Sequence, residues 1–132
     1  MPVRGLNHVN FRAPANTIER LRRFYVDVVG LHEGSRPRFH SGSQGCWLYA
    51  GSVGVVHLTI ADDDTGGAHQ GCFNHVAFNC DDLAAAQARL NSAGIAYTTD
   101  VIDELHQVQL FLVDPVGVGV ELDFIDPRDA GC

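Results

Sequence analysis

A five-residue segment near the start of the chain returns 67 residues later, and this repeat constrains the fold more than any other feature. Residues 7–11 read Asn-His-Val-Asn-Phe, and residues 74–78 read Asn-His-Val-Ala-Phe. In both copies a glycine follows, and a second segment of alternating apolar residues is centred 27 residues beyond that glycine. Two copies of this length are too few for a solenoid, so the repeat predicts one pseudosymmetric domain built from two similar units.

Each copy has the periodicity of one strand, one helix and three further strands. Alternation of polar and apolar residues predicts the strands, and apolar residues at helical spacing precede Gly30 in the first copy and Gly94 in the second. We therefore expect an α+β fold of two tandem βαβββ modules. The predicted strands of the first module cover 6–12, 31–35, 46–50 and 53–60, and those of the second cover 73–80, 95–101, 107–113 and 118–125.

Local signals place the helix starts and the turns. Asn16 followed by Glu19 predicts a capped helix start in the first copy, and Asp81 or Asp82 predicts one in the second. The Asp-Pro-Val-Gly run over 114–117 predicts a tight turn.

Length and composition favour a single domain over 1–132, with a first module over about 5–60, a linker over 61–71 and a second module over about 72–125. The formal net charge of -7 disfavours nucleic acid as a partner, and no apolar run is long enough for a membrane span. The chain has no lysine, which excludes Schiff-base catalysis. Four cysteines without paired spacing, and no signal peptide, predict reduced thiols in a cytoplasmic protein.

Four residues on the polar faces of the repeated strands carry the candidate chemistry. The apolar faces of these strands are expected to pack on the helices, which leaves the opposite faces for His8, His57, His75 and Glu121. These four occupy only two repeat-equivalent positions, the first and the last strand of each unit. Three imidazoles and a carboxylate predict a site for one divalent metal ion, either Zn, Ni, Mn, Fe or Co.

Other polar and aromatic residues are weaker candidates. Asn10 and Arg12 share the face of His8 and are candidate substrate contacts. Trp47 and Tyr49 share one face of a strand, where they either line a pocket for a planar group or belong to the core, and the core is slightly favoured. Phe39 and Gln109 are weaker pocket candidates. Four further histidines are expected at the surface, and one of them, His106, is a weak candidate for a pocket edge; the four are His32, His40, His69 and His106.

The chain resembles the vicinal oxygen chelate superfamily, which includes glyoxalase I, extradiol dioxygenases and bleomycin-resistance proteins. The resemblance covers residues 5–125 and is carried by the segments 5–9, 24–31, 73–78 and 111–122. It implies that the two modules form a cup-shaped, curved mixed sheet with the helices outside. It further implies one metal ion in the cup, a small-molecule substrate that binds through two adjacent oxygens, and a homodimer.

The resemblance also implies roles for individual residues. His8, His75 and Glu121 match the metal positions of the family, and His57 stands where glyoxalase I has a glutamate, so that His57 is a ligand or an acid/base. Arg12 matches an arginine that holds the glutathione carboxylate in glyoxalase I, although an ion pair with an acidic residue such as Asp123 is equally expected.

These roles imply a metal-dependent, glyoxalase-like lyase or isomerase, in which the metal polarises a carbonyl and Glu121 moves a proton. Two other functions stay open at this point. One is an extradiol ring-cleaving dioxygenase, and the other is a non-catalytic protein that binds a small molecule such as an antibiotic.

Overall fold

The computed structural model describes residues 4–62 and 73–125. The chain divides between His69 and Gln70 into two compact units. Ala61 and Asp62 belong to the described part, whereas the rest of the predicted linker, residues 63–71, lies outside it. Neither α-helix within the described ranges is both long and apolar enough to cross a membrane.

The first unit is a four-stranded mixed sheet with one helical segment. The elements are β1 (Val9–Ala13), α1 (Ala15–Arg23), a π-helical turn (Phe24–Val29), β2 (His32–Gly34), β3 (Gly45–Ala50) and β4 (Val53–Ile60). The strands lie in the order β1-β4-β3-β2, with β1 parallel to β4 and the other neighbours antiparallel. The helix α1 continues into the π-helical turn, which is capped by Gly30, whose φ of 102° suits a glycine at a helix end.

The second unit repeats this topology. Its strands lie in the order β5-β8-β7-β6, again with the first and last strands of the unit parallel and adjacent. The repeat confirms the predicted α+β class with two tandem βαβββ modules. The elements are β5 (His75–Asn79), α2 (Leu83–Ser92), β6 (Thr98–Ile102), a 3₁₀ turn (Asp103–Leu105), β7 (Gln107–Val113) and β8 (Gly119–Ile125).

The predicted capping of the first helix is wrong. α1 starts at Ala15 with Pro14 in the capping position and no side-chain cap, while the Asn16 Oδ1 accepts a hydrogen bond from the neighbouring Thr17 amide. Glu19 does not reach back to the helix start, because its carboxylate accepts hydrogen bonds from the guanidinium groups of Arg22 and Arg23. The prediction for the second helix is confirmed for Asp82, whose Oδ1 accepts from the Ala85 amide at 3.1 Å.

The predicted turn at 114–117 is confirmed, and its geometry is fixed by one carboxylate. The Oδ1 of Asp114 accepts from the amides of Val116 and Val118, each at 2.9 Å. Gly117 follows with a φ of 93°, which a residue with a side chain would rarely adopt. The turn leads directly into β8 and so sets where Glu121 lies along that strand.

Apolar side chains of the central strands form the core of each unit. Leu48, Val56 and Leu58 are fully buried in the first unit, and Leu110 and Leu122 are fully buried in the second. In β8 the buried Val120 and Leu122 alternate with residues on the opposite face, as the sequence pattern predicts. Two strands begin three residues later than predicted. β1 begins at Val9, which leaves His8 just before it, and β6 begins at Thr98.

Burial makes the thiols of Cys46 and Cys80 poor nucleophiles, and a measurement of their reactivity therefore tests how they are packed. Burial raises the pKa of Cys46 to about 11 and also raises the pKa of Cys80. At pH 8 a thiol with a pKa of about 11, such as that of Cys46, is about one part in a thousand thiolate, and the thiolate is the reactive form. In a Cys72→Ser, Cys132→Ser variant we expect both remaining thiols to react with a disulfide reagent at least tenfold more slowly than after denaturation. Immediate reaction of the Cys46 thiol in the native protein would contradict the packing of β3.

Candidate metal centre

In the first unit, the ring of His57 lies between two other rings. Because β1 and β4 are adjacent and parallel, His8 comes beside His57, and the two imidazole centroids are 3.8 Å apart at an angle of 14°. Trp47 is the cross-strand partner of His57 on β3, and its ring centroid is also 3.8 Å from that of His57, at 6°. The three rings form one continuous stack, which buries His57.

A backbone hydrogen bond fixes the proton on His57. Its Nε2 lies 3.0 Å from the Gly54 carbonyl oxygen, which can only accept, so Nε2 carries the proton and Nδ1 keeps a lone pair. Burial, and next the neighbouring His8, lower the pKa of His57 and favour the neutral ring. A methyl group at Gly54 would lie 3.3 Å from the Trp47 ring, which is tighter than an ordinary van der Waals contact. His57 therefore offers only Nδ1 to a metal ion or a substrate.

Each unit orients its first histidine with the asparagine that precedes it. His8 Nδ1 donates to Asn7 Oδ1 at 2.7 Å, and His75 Nδ1 donates to Asn74 Oδ1 at 2.8 Å. In both residues Nε2 therefore carries no proton, and its lone pair is available to bind a divalent ion. Asn7 and Asn74 were not predicted to have a role, although both belong to the Asn-His-Val segment that is identical in the two copies of the repeat.

In the second unit, His75 on β5 lies beside Glu121 on β8. His75 Nε2 is 3.8 Å from Glu121 Oε1. This separation is shorter than two metal–ligand bonds of about 2.1 Å placed end to end, so one divalent ion can bind both atoms. Gly119 stands opposite His75 in the parallel register, and a methyl group there would lie 2.7 Å from the Asn74 carbonyl oxygen. The close approach of β5 and β8 at the histidine thus depends on glycine.

Glu121 is more basic than an ordinary glutamate. The residue is 8% exposed, and burial, followed by the nearby carboxyl of Asp123, raises its pKa, while His75 acts in the opposite direction. The Oδ1 of Asp123 is itself buried and has no hydrogen-bond partner among the described residues. Two buried carboxyl groups that lie close together repel each other when both are ionised, so a proton that they share or a bound cation stabilises the pair.

The two aromatic residues that were predicted as substrate contacts, Trp47 and Tyr49, both lie on β3. Trp47 is half-buried on the face opposite the buried Cys46 and Leu48, so it is not a core residue, and it contacts the predicted ligand His57. Tyr49 donates its hydroxyl to the Ser35 carbonyl oxygen at 2.6 Å, and so it ties strand β3 to the loop after β2.

The two polar candidates on β1 are exposed. Asn10 Oδ1 accepts a hydrogen bond from the Thr59 hydroxyl at 2.9 Å, which fixes its amide next to β4. The Arg12 side chain is exposed on the same face. Three of the four other histidines are exposed as predicted, namely His32, His40 and His106, and the fourth, His69, lies outside the described residues.

A cavity of about 580 Å³ opens in the first unit between the β2–β3 loop and the end of β4. Segments 36–39 and 42–45 and the residue Ile60 line it. The weak pocket candidate Phe39 belongs to this lining, whereas the other one, Gln109, is buried in β7. The loop residues Arg36 and Arg38 were not singled out from the sequence, since an irregular loop has no periodicity to place its side chains.

Within residues 4–62 and 73–125, no three His, Cys, Asp or Glu side chains are grouped closely enough to hold a metal ion. The structure shows the four predicted ligands as two pairs, one in each unit. His8 and His57 form the first pair, and His75 and Glu121 form the second.

The comparison with known proteins decides the family. A sequence model of the Glyoxalase/Bleomycin resistance protein/Dioxygenase superfamily matches residues 5–122. The chain belongs to this superfamily. A relative from Arabidopsis thaliana, glyoxylase I 4, is 27% identical over 124 residues, which cover 89% of this chain and 69% of the relative.

Solved structures of other proteins share the fold. A glyoxalase family protein from Bacillus anthracis has a TM-score of 0.72 at 22% identity, with 95% of this chain and 98% of that chain covered. An antibiotic binding protein from a Streptomyces species has a TM-score of 0.63 at 20% identity, with 95% and 98% covered. At identities of 22% and 20%, the likeness to these structures shows a shared fold and no more. Proteins that share this fold therefore include one named for the glyoxalase family and one named for antibiotic binding.

Proposed function

We propose that the protein is a divalent-metal-dependent lyase or isomerase of the glyoxalase type, acting on a small substrate that chelates through two oxygens. The observation that carries this proposal is the His75–Glu121 pair, whose 3.8 Å separation suits two ligands of one ion. The proposed ligands are Nε2 of His8 and His75, a carboxylate oxygen of Glu121, and Nδ1 of His57. In the first two histidines the donor atom is the one that the asparagine hydrogen bond leaves available.

The residues of the chain would divide the chemistry between them. A bound divalent ion supplies Lewis-acid stabilisation of negative charge on a substrate carbonyl oxygen. The Glu121 carboxylate would take the proton from the carbon next to that carbonyl and return it to the neighbouring carbon. His57 stays neutral, and the Trp47 ring covers it from water on one side.

The metal content of the purified protein tests this proposal. We expect protein purified without chelator to hold near-stoichiometric Zn, Ni, Mn or Co, or to take it up on incubation. His75→Gln should lose this binding, while the matched control His40→Gln, on an exposed loop histidine, should keep it. Elemental analysis measures both.

Absence of metal in all preparations, with none taken up, would contradict the proposed centre. Stoichiometric iron, together with oxygen uptake on addition of catechols, would instead favour ring cleavage.

A second candidate function is binding without catalysis. The cavity of about 580 Å³ has the size of a small-molecule site, and the half-buried Trp47 offers a planar apolar face in the same unit. The Streptomyces neighbour is an antibiotic binding protein of the same fold. Tight binding of a ligand that survives complete removal of metal, without turnover, would favour this function. The homodimer and the cytoplasmic location implied by the sequence stay predictions.

A further inference from the structure

The cavity in the first unit is positively charged in a chain that is otherwise acidic. Among the described residues that line it are Arg36 and Arg38 and no acidic side chain, whereas the whole chain has a formal net charge of -7. The ion pairs found between described residues use other basic groups, namely Arg22, Arg23 and His75. Two guanidinium groups in the wall of one cavity create a local potential that attracts an anion.

Arg36 fixes the shape of this cavity. Its Nη1 donates to the Ser43 carbonyl oxygen at 2.8 Å and its Nη2 donates to the Ser43 hydroxyl at 3.0 Å, which ties the two ends of the loop together. The guanidinium also lies 4.8 Å from the centroid of the Phe39 ring. The loop is therefore held in one shape by contacts within it, and Arg36 keeps its charge at the wall of the cavity.

Arg38 and the aromatic row supply the two kinds of contact that a ligand would use. Arg38 is exposed at the cavity, and its guanidinium can bind an oxyanion through two parallel hydrogen bonds. Phe39 lies 6.5 Å from Trp47, which in turn stacks on His57, so an aromatic surface runs from the cavity to the predicted ligand His57. A planar ring stacks favourably on such a surface.

We propose that this cavity binds the oxyanion of a small planar molecule, such as an aromatic carboxylate, with Arg38 as the anion contact and Phe39 as the ring contact. The binding itself depends only on the cavity. That the bound molecule is the substrate, with its reacting end toward His57, rests on the proposed function.

The test is a titration of metal-free protein, in chelator, with benzoate and with its neutral analogue benzyl alcohol. Trp47 is the only tryptophan of the chain, so its fluorescence reports binding next to Phe39. We expect benzoate to bind and benzyl alcohol to bind at least tenfold more weakly. Arg38→Gln should weaken benzoate binding about tenfold or more, as expected for the loss of hydrogen bonds to a charged group.

Arg20→Gln is the matched control, because Arg20 is an exposed arginine on α1 and does not line the cavity. It should bind benzoate like the wild type. Equal binding of benzoate and benzyl alcohol, or an unchanged affinity in Arg38→Gln, would overturn the proposal. Because no metal is present, failure of this test leaves the proposed metal centre untouched, and failure of the metal analysis leaves this test valid.

Discussion

Glu121→Gln is expected to lower turnover by about 10² to 10⁴, the usual contribution of a positioned general base. Glutamine has nearly the same shape as glutamate but cannot take up the proton. Burial and the Asp123 carboxyl raise the pKa of Glu121 above that of an ordinary glutamate. The assay follows conversion of adducts between α-keto aldehydes and thiols by the metal-loaded protein.

The control for this variant is Glu104→Gln, which makes the same chemical change on an exposed turn. It should retain full turnover. Metal content has to be measured in both variants, because loss of the ion would lower turnover for a different reason. Unchanged turnover of Glu121→Gln with metal bound would exclude the proton-transfer role.

Leu122→Ala is expected to lower the free energy of unfolding by about 2 to 5 kcal/mol, the range measured when a buried leucine leaves a cavity. Leu122 is fully buried in β8, between Phe78 on β5 and Leu110 on β7. Its side chain is therefore surrounded on both sides by neighbouring strands that cannot easily collapse into the space. Urea denaturation followed by circular dichroism measures the change.

Val113→Ala is the control, because Val113 is 62% exposed at the end of β7. It should change the free energy of unfolding by less than about 0.5 kcal/mol, as is usual at surface positions. A loss below about 1 kcal/mol for Leu122→Ala would mean that β8 is not packed as described.

The sequence predicts which face of a strand each side chain occupies, but it does not predict which aromatic rings stack on each other. Alternation in residues 53–60 and 118–125 places His57 and Glu121 on the face opposite the core, because the side-chain period of a strand is fixed at two residues. The stack of His57 on Trp47 depends on the register between β3 and β4, and this register shifts between Leu48 and Tyr49. No pattern within one strand reveals such a shift.

Local hydrogen bonds account for the other differences. Asn16 and Glu19 have the spacing of a capping box, yet Glu19 has two arginines within reach and binds them instead. The π-helical turn at 24–29 is not visible in the apolar spacing, which fits an α-helix equally well. The family follows from the repeated motifs. The reaction does not, since the same superfamily name covers glyoxalases, dioxygenases and resistance proteins.

The parallel pairing of first and last strands has a consequence for how such a protein can diverge. In each unit the two candidate ligands lie on, or directly before, adjacent hydrogen-bonded strands. His8 precedes β1 and neighbours His57, and His75 neighbours Glu121. One duplication event copies both positions together with the sheet that holds them. Afterwards either half can exchange an imidazole for a carboxylate at its closing strand without altering the other half. The candidate ligand atoms, and with them the preferred metal ion, can therefore change in one unit at a time while the backbone stays the same.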